Sequence, residues 1–254
     1  MDTWCIYIYT LGTSYHRANQ ISGKDIQEAT ASEPLSLEEE YENQQSWRTA
    51  GDKLTFIICR PLKDGGHFTG DVTGIVRAGT HDVEDRMVGD VNFFLHAHPD
   101  LEGRLVGELD VMVAEKSCRR TGLGRASCVA VLDYARRRMA EMLDEYHDAG
   151  VTDGATSPGQ GQEGKENGVE AGERVTEVMV KIKEGNVGSR GLFRALGFED
   201  DGKGVNYFGE VRMVLPWKRL GERPWADATG GKGEGEEEEE VKELPYENDL
   251  AKKT

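Results

Sequence analysis

The sequence predicts an α/β or α+β domain, a sheet with helices packed on its faces. Three observations carry that expectation. Short apolar runs of strand length fall at 54–59, 87–95, 105–113 and 175–182, and a further one lies inside 205–215. A stretch opening near Gly124 repeats apolar residues at helical spacing, through Ala126, Val129, Leu132, Ala135, Met139 and Met142. The chain has 254 residues with 37% hydrophobic side chains, which is enough to bury a sizeable core.

Taken in order, residues 1–25 form an atypical segment. Met1 to Leu11 is mildly apolar but has no basic start and no long apolar stretch, so it reads poorly as a secretory signal. A cytoplasmic or nuclear address is the expectation. The first helix opens at Ser36, an N-cap with Glu39 three residues on as its capping-box partner, and runs through Tyr41 and Trp47. Three strands follow at hairpin-like spacing, then the long helix, then the strand at 175–182. A short helix covers Ser189 to Leu196 and stops at Gly197, a natural residue for a helix end.

Two segments have little to bury. Asp144–Gly172 carries seven glycines in 29 residues and is expected to be a disordered insert. Residues 217–254 are expected to be an acidic, solvated tail, with five consecutive glutamates at Glu236–Glu240. The domain proper then spans 26–216. Of the net charge of −16, residues 141–174 (9 acidic, 2 basic) and 221–254 (11 acidic, 5 basic) account for all but −3. No basic stripe offers itself to nucleic acid. No apolar run approaches the ~20 residues of a bilayer span, so no membrane partner is expected. The cysteines, Cys5, Cys59, Cys118 and Cys128, have wide, irregular spacing that suits reduced thiols rather than a metal site or disulfides. His96-Ala97-His98-Pro99-Asp100 lacks matching distant ligands and reads as a solvated turn.

The chemistry concentrates between Gly107 and Gly124. A strand runs into a basic, glycine-containing turn, Arg119-Arg120-Thr121-Gly122-Leu123-Gly124, that opens the long helix. Backbone N–H groups converging at a positive helix end suit a phosphate, with Arg119, Arg120 and Arg125 as countercharge. An ordinary strand-to-helix turn is the competing reading. Neither a P-loop nor a Rossmann glycine pattern fits. Glu108 and Asp110 stand two apart on a strand and share a face, so either could take a proton from an attacking amine. Alternatively, one of them pairs with a lysine or arginine across the sheet.

Arg119-x-x-Gly122-x-Gly124 resembles motif A of the GNAT acetyltransferases, and Asn186-x-x-Ser189-x-x-Leu192-Phe193-x-x-Leu196-Gly197-Phe198 is similar to their motif B. With Glu28–Tyr41, Gln45–Arg48, Met87–Leu95 and Gly107–Glu115, the chain resembles the eukaryotic N-acetyltransferase 9-like proteins. The resemblance implies a GNAT fold, a mixed central sheet with helices on both faces. It implies acetyl-CoA as co-substrate and no metal. Val111, Met112 and Val113 would pair with pantetheine, and the turn from Arg119 through Thr121 to Gly124 would hold pyrophosphate. Asn186, Ser189 and Phe193 would approach from the other side. The implied acceptor is a protein amine, with tubulin N-termini as substrate. An α-amino group, with pKa near ~8 against ~10.4 for lysine, needs only a modest base. Two departures stand out: residues 1–25 do not match the family's first strand and helix, and Phe193 replaces a tyrosine that often protonates the leaving thiolate. They motivate one alternative, a GNAT-shaped interaction protein with faded chemistry; another, a small-amine acetyltransferase, keeps the fold and changes the acceptor. Oligomeric state is not legible.

Overall fold

A computed structural model describes residues 5–7, 36, 38–39, 42, 46–47, 50–60, 83–150 and 174–225, with two-residue strands at 63–64, 67–68, 76–77 and 246–247. The apolar runs assemble into one seven-stranded sheet. Its strands are β1 (Cys5–Tyr7), β2 (Lys53–Cys59), β3 (Met87–Ala97), β4 (Leu105–Val113), β5 (Val175–Lys183), β6 (Glu199–Val205) and β7 (Glu210–Pro216). They lie in the order β1-β2-β3-β4-β5-β7-β6, antiparallel throughout except where β4 meets β5. The single parallel pair needs a crossover, which helix α1 (Leu123–Asp148) supplies.

The expected mixed sheet is thus present. Residues 1–25 do contribute a strand, since Cys5–Tyr7 pair with Ile57–Cys59 at the sheet edge.

One face of the sheet packs on α1. Leu123, Cys128, Leu132, Ala135, Met139 and Tyr146 lie along its buried stripe, each at most 2% exposed, against Val91, Phe93, Leu105 and Leu109. Alternation sends Asp90, Asn92 and Phe94 of β3, and Glu108 and Asp110 of β4, to the opposite face. There Trp47 meets Phe94 edge to face, with ring centroids 5.9 Å apart. The capping box that the sequence predicts at Ser36 is present: Ser36 N–H donates to Glu39 Oε2 at 2.8 Å and Glu39 N–H donates back to Ser36 Oγ at 3.3 Å. Tyr41 lies outside the described residues.

Three boundaries are corrected. The region taken as an insert from Asp144 is still helical to Asp148, because Tyr146 is a core residue at 2% exposure. Residues 151–173 lie outside the described residues. The expected strand in 205–215 is half of a hairpin, whose other half, Glu199–Val205, has mostly exposed side chains and no apolar signature.

The third correction moves the start of the tail. Residues 217–225 belong to the core: Trp217 (8% exposed), Leu220 (0%) and Trp225 (5%) are buried beneath the sheet's end. Gly197 ends helix α2 (Val187–Ala195) at φ +90°, and a Cβ there would sit 2.8 Å from Pro224. Further on, Tyr246–Glu247 pair in parallel with Val76–Arg77, and the remaining tail residues lie outside the described set.

Candidate active site

β4 and β5 are hydrogen-bonded as a pair only from Leu105 to Glu108. Both strands continue, β4 beside β3 as far as Val113 and β5 beside β7 as far as Lys183. Past Glu108 they therefore diverge, and the edge of β4 at Val111, Met112 and Val113 faces an open wedge. An extended ligand chain can lie there as an added strand would.

The mouth of the wedge is the turn into α1. Arg120 and Gly122 take left-handed conformations (φ +60° and +91°), and Gly122 is the helix N-cap without any side-chain capping bond. The first intrahelical bond runs from Ala126 N–H to the Gly122 carbonyl at 3.0 Å, so the N–H groups of Leu123, Gly124 and Arg125 keep no helical acceptor. A Cβ at Gly122 would meet nothing within 4 Å. Open space, first-turn N–H groups without helical acceptors and the positive helix end together suit a diphosphate. Leu123, fully buried, can offer only its backbone.

The arginines have other tasks. Arg119 Nε donates to the Val113 carbonyl at 2.8 Å and its Nη2 to Ala114 at 3.2 Å, tying the turn to the end of β4. Arg125 Nη2 donates to the Trp225 carbonyl at 2.8 Å. Thr121 Oγ1 donates to the Cys118 carbonyl at 2.7 Å. Arg120 remains exposed beside the turn.

The motif B residues build α2. Asn186 is its N-cap, with Oδ1 accepting from Ser189 N–H at 3.1 Å. Phe193 is 3% exposed and packs edge to face on Phe198, centroids 5.2 Å apart, within the core. Leu192, rather than Phe193, reaches toward α1: its Cδ2 lies 3.7 Å from the position a Cβ on Gly124 would occupy.

On the sheet face opposite α1, the two predicted carboxylates behave differently. Glu108 Oε2 lies 2.9 Å from Lys181 Nζ and 3.0 Å from His96 Nε2. Burial works to raise its pKa, but the hydrogen bonds and charges of these partners outweigh it and hold the carboxyl below its ordinary value. The cross-sheet ion pair anticipated as the competing reading therefore exists. Asp110 is exposed to solvent, yet enough protein surrounds it that desolvation raises its pKa, aided by the Glu108 charge and opposed by the Val111 N–H. His96, expected in a turn, is instead in β3; His98 occupies the turn, where Nδ1 accepts from the N–H groups of Asp100 and Leu101.

Sequence reading missed Asp90 and Asn92. Asp90 is 6% exposed and Asn92 4%, and Asn92 Nδ2 donates to Asp90 Oδ2 at 2.7 Å. Burial and the charge of Asp110 push the Asp90 carboxyl up to about 7, against the pull of Asn92. The available signal was two polar residues, two apart, inside the apolar run Met87–Leu95.

Among the described residues no group of three or more His, Cys, Asp or Glu side chains is placed to hold a metal. Cys59, Cys118 and Cys128 are buried and none is joined in a disulfide among the described residues. No described helix is long and apolar enough to cross a membrane.

Known proteins share this arrangement. The N-acetyltransferase 9-like protein of Schizosaccharomyces pombe is 31% identical over 222 residues, 79% of this chain and 86% of that protein. The protein of the same name from Caenorhabditis briggsae is 31% identical over 211 residues, 81% and 78% of the two chains. The human alpha/beta-tubulin-N-acetyltransferase 9 is 42% identical over 114 residues, 45% of this chain. The chain spans about half the length of the human and Drosophila melanogaster proteins it matches, 48% and 56%.

Among solved structures, the spermidine N-acetyltransferase of Vibrio cholerae, in complex with CoA and spermine, superposes with a TM-score of 0.52 at 12% identity. It covers 86% of this chain and 98% of its own, and the likeness is one of fold. The family described as acetyltransferase (GNAT) domain matches residues 19–199, a span that holds the forked strands, the glycine turn and α2. A match over most of the described core, carried by the same elements that build the wedge, means that the chain belongs to the GNAT acetyltransferase family.

Proposed function

We propose that the chain transfers an acetyl group from acetyl-CoA to a protein amine, with the α-amino group of a tubulin N-terminus as the acceptor to test first. The observation that carries this reading is the wedge between β4 and β5, with the N–H groups of Leu123 and Gly124 left without helical acceptors at its mouth and an accessible carboxylate, Asp110, beside it. Acetyl-CoA supplies an acetyl thioester, whose carbonyl carbon accepts the amine as the C–S bond breaks. The N–H groups of Leu123, Gly124 and Arg125 bind the diphosphate, and the β4 edge at Val111 to Val113 aligns the pantetheine arm.

Asp110 takes the proton released by the attacking amine, directly or through water; a raised pKa brings a carboxylate closer to the strength a base needs near neutrality. Glu108 holds Lys181 and His96 in place and is the less suited of the two carboxylates. The departing thiolate collects its proton from water, since Phe193 has no hydroxyl and is buried. Asn186 and Ser189 set the start of α2, through which Leu192 borders the wedge.

The choice of acceptor is supported by the printed names of the human and fly relatives, tubulin N-acetyltransferases. The buried Phe193 favours a second reading, an interaction protein with weak chemistry. Both are tested by calorimetry with acetyl-CoA and by an acetyl-transfer assay on tubulin N-terminal peptides, lysine peptides and polyamines. Saturable binding with transfer to an N-terminal peptide is expected. Binding without transfer to any amine leaves the interaction protein, and no binding removes both the cradle and the enzyme.

A further inference from the structure

The face of the sheet that carries Asp110 holds a polar cluster that the proposed chemistry does not yet use. Asp90 and Asn92 are more than nine-tenths buried on β3, and the β3–β4 register sets Asn92 directly opposite Asp110. Asn92 neighbours both acids, Asp90 two residues before it on β3 and Asp110 across the register on β4. Its Nδ2 arm is spent on Asp90 Oδ2 at 2.7 Å, while its Oδ1 arm is buried without any hydrogen-bond partner. Buried acceptors without donors are rare in native structures and ask for an explanation. On a planar amide Oδ1 points away from the group that Nδ2 engages, so it is turned from Asp90, on the face that Asn92 shares with Asp110.

We propose that Asp90, Asn92 and Asp110 form the seat of the acceptor's ammonium group, in which Asn92 Oδ1 and the Asp110 carboxylate receive its N–H bonds and Asp90 is a positioning residue that fixes the Asn92 amide. The inference rests on the reading of the chain as an amine acetyltransferase and names the part of the substrate that the protein grips.

The missing partner must be a donor, and the surroundings choose which kind. Asp110 stands opposite Asn92 on the same face, so a cation is favoured beside the vacant acceptor and an anion repelled. The two lysines on this face of β5 are already engaged, Lys181 by Glu108 and Lys183 by Glu210 and the Phe208 carbonyl. The pressure is visible in Asp90, whose carboxyl is pushed up by burial and by the charge of Asp110; a cation held by Asp110 would offset that charge. A primary ammonium carries three N–H donors and a unit charge. Acetylation turns it into a neutral amide with one N–H, so the same seat that collects the substrate lets go of the product.

The test is equilibrium binding to the full chain by calorimetry, with CoA present and with CoA absent. The probes are tubulin N-terminal peptides and spermidine, each as the free amine and as its N-acetylated counterpart. The wild type is expected to bind at least one free amine about tenfold or more tightly than its acetylated form, as a charged hydrogen bond to a buried group warrants. Asn92→Ala and Asp110→Asn should each bring that ratio close to one while CoA affinity stays within about twofold, and Asp90→Asn should reduce it less. A general weakening of the fold would lower both affinities and leave the ratio intact, so the ratio separates recognition from stability. If Asn92→Ala fails to fold, Asp110→Asn, altered at an exposed side chain, decides. An unchanged ratio in Asp110→Asn, or a wild type that discriminates for none of the probes, overturns the seat. Failure of the acetyltransferase reading looks different, namely loss of acetyl-CoA binding or of transfer.

Discussion

Ending the chain at Pro216, where the sequence places the end of the domain, should unfold it, whereas ending it at Ala226 should not. The difference lies in three side chains. Leu220 is 0% exposed, Trp225 5% and Trp217 8%, and all belong to the main core cluster. Truncating a buried leucine costs about 2–5 kcal/mol and a buried tryptophan about 3–5. The three together come to roughly 8–15 kcal/mol, reduced somewhat because neighbours in one cluster are not additive. A domain's whole stability is about 5–15 kcal/mol, so little or nothing remains. The chain ending at Pro216 also loses the Trp225 carbonyl that receives Arg125 in the first turn of α1, and leaves the hollow beside Gly197 that Pro224 fills. Thermal melts by near-ultraviolet circular dichroism provide the assay. Trp225→Ala in the full chain gives a graded version, with an expected fall in Tm of about 6–20 °C at about 2–4 °C per kcal/mol. If the chain ending at Pro216 melts within about 2 °C of the full chain, a difference worth less than about 1 kcal/mol, the packing assigned to this segment is wrong.

Other outcomes follow from the site and its borders. Gly122→Glu should abolish acetyl-CoA binding, because a carboxylate replaces open space at an amide-lined turn; since Gly122 has φ +91°, a melt run alongside calorimetry must show the variant folded. Asp110→Asn should lower acetyl transfer by roughly 10²–10⁴-fold with little change in acetyl-CoA affinity, as read from initial rates. Glu108→Gln should lower it less, and equal losses would undo the division of roles. Replacing residues 151–173 by a short glycine–serine linker should leave Tm unchanged, because His147 and Arg174 at its two ends are in contact. A deletion that begins at Asp144 removes Tyr146 and should cost roughly 3 kcal/mol.

Asp90 sets a pH slope. Its folded carboxyl, at about 7, holds a proton that the unfolded one releases near its ordinary 3.8. Its contribution to stability is complete below the lower value and is lost as pH rises through the upper one, by up to roughly 4 kcal/mol. Urea unfolding of Asp90→Asn should lack that slope; parallel pH profiles for variant and wild type would contradict the burial.

The elements legible in the sequence were those whose side chains enter the core in unbroken runs. β2, β3, β4 and β5 were found because at least one face of each is filled with apolar side chains, and α1 because its buried residues recur every three or four positions. What escaped was structure held by isolated anchors. Trp217, Leu220 and Trp225 are separated by Lys218, Arg219 and Glu222, and Tyr146 stands among Asp144, Glu145 and Asp148, so local polarity hid them. β6 has almost nothing buried and exists through its pairing with β7. At the site, the shared face of Glu108 and Asp110 followed from alternation alone. Which of them is free depended on Lys181, 73 residues away, and on His96, whose strand proved longer than its apolar run. Asn92 and Asp90 gain meaning only from the β3–β4 register, which the loop between them fixes.

The fork between β4 and β5 has a kinetic consequence. Glu108 is the last paired residue of β4, and Lys181, which it holds, lies on β5 just beyond the last paired position, so an ion pair spans the crotch of the wedge. With Leu192 of α2 packed near Gly124 of α1 at its mouth, both ends of the wedge are set by the protein's own contacts. Separation is then completed during folding, and an incoming ligand need not unzip a sheet. Free and loaded backbones should coincide within about 1 Å, as in other preorganised complexes. The unpaired edge of β4 from Leu109 to Val113 would then show occupancy as slowed amide hydrogen exchange, against a background at Leu105 to Glu108 that is already protected and does not change.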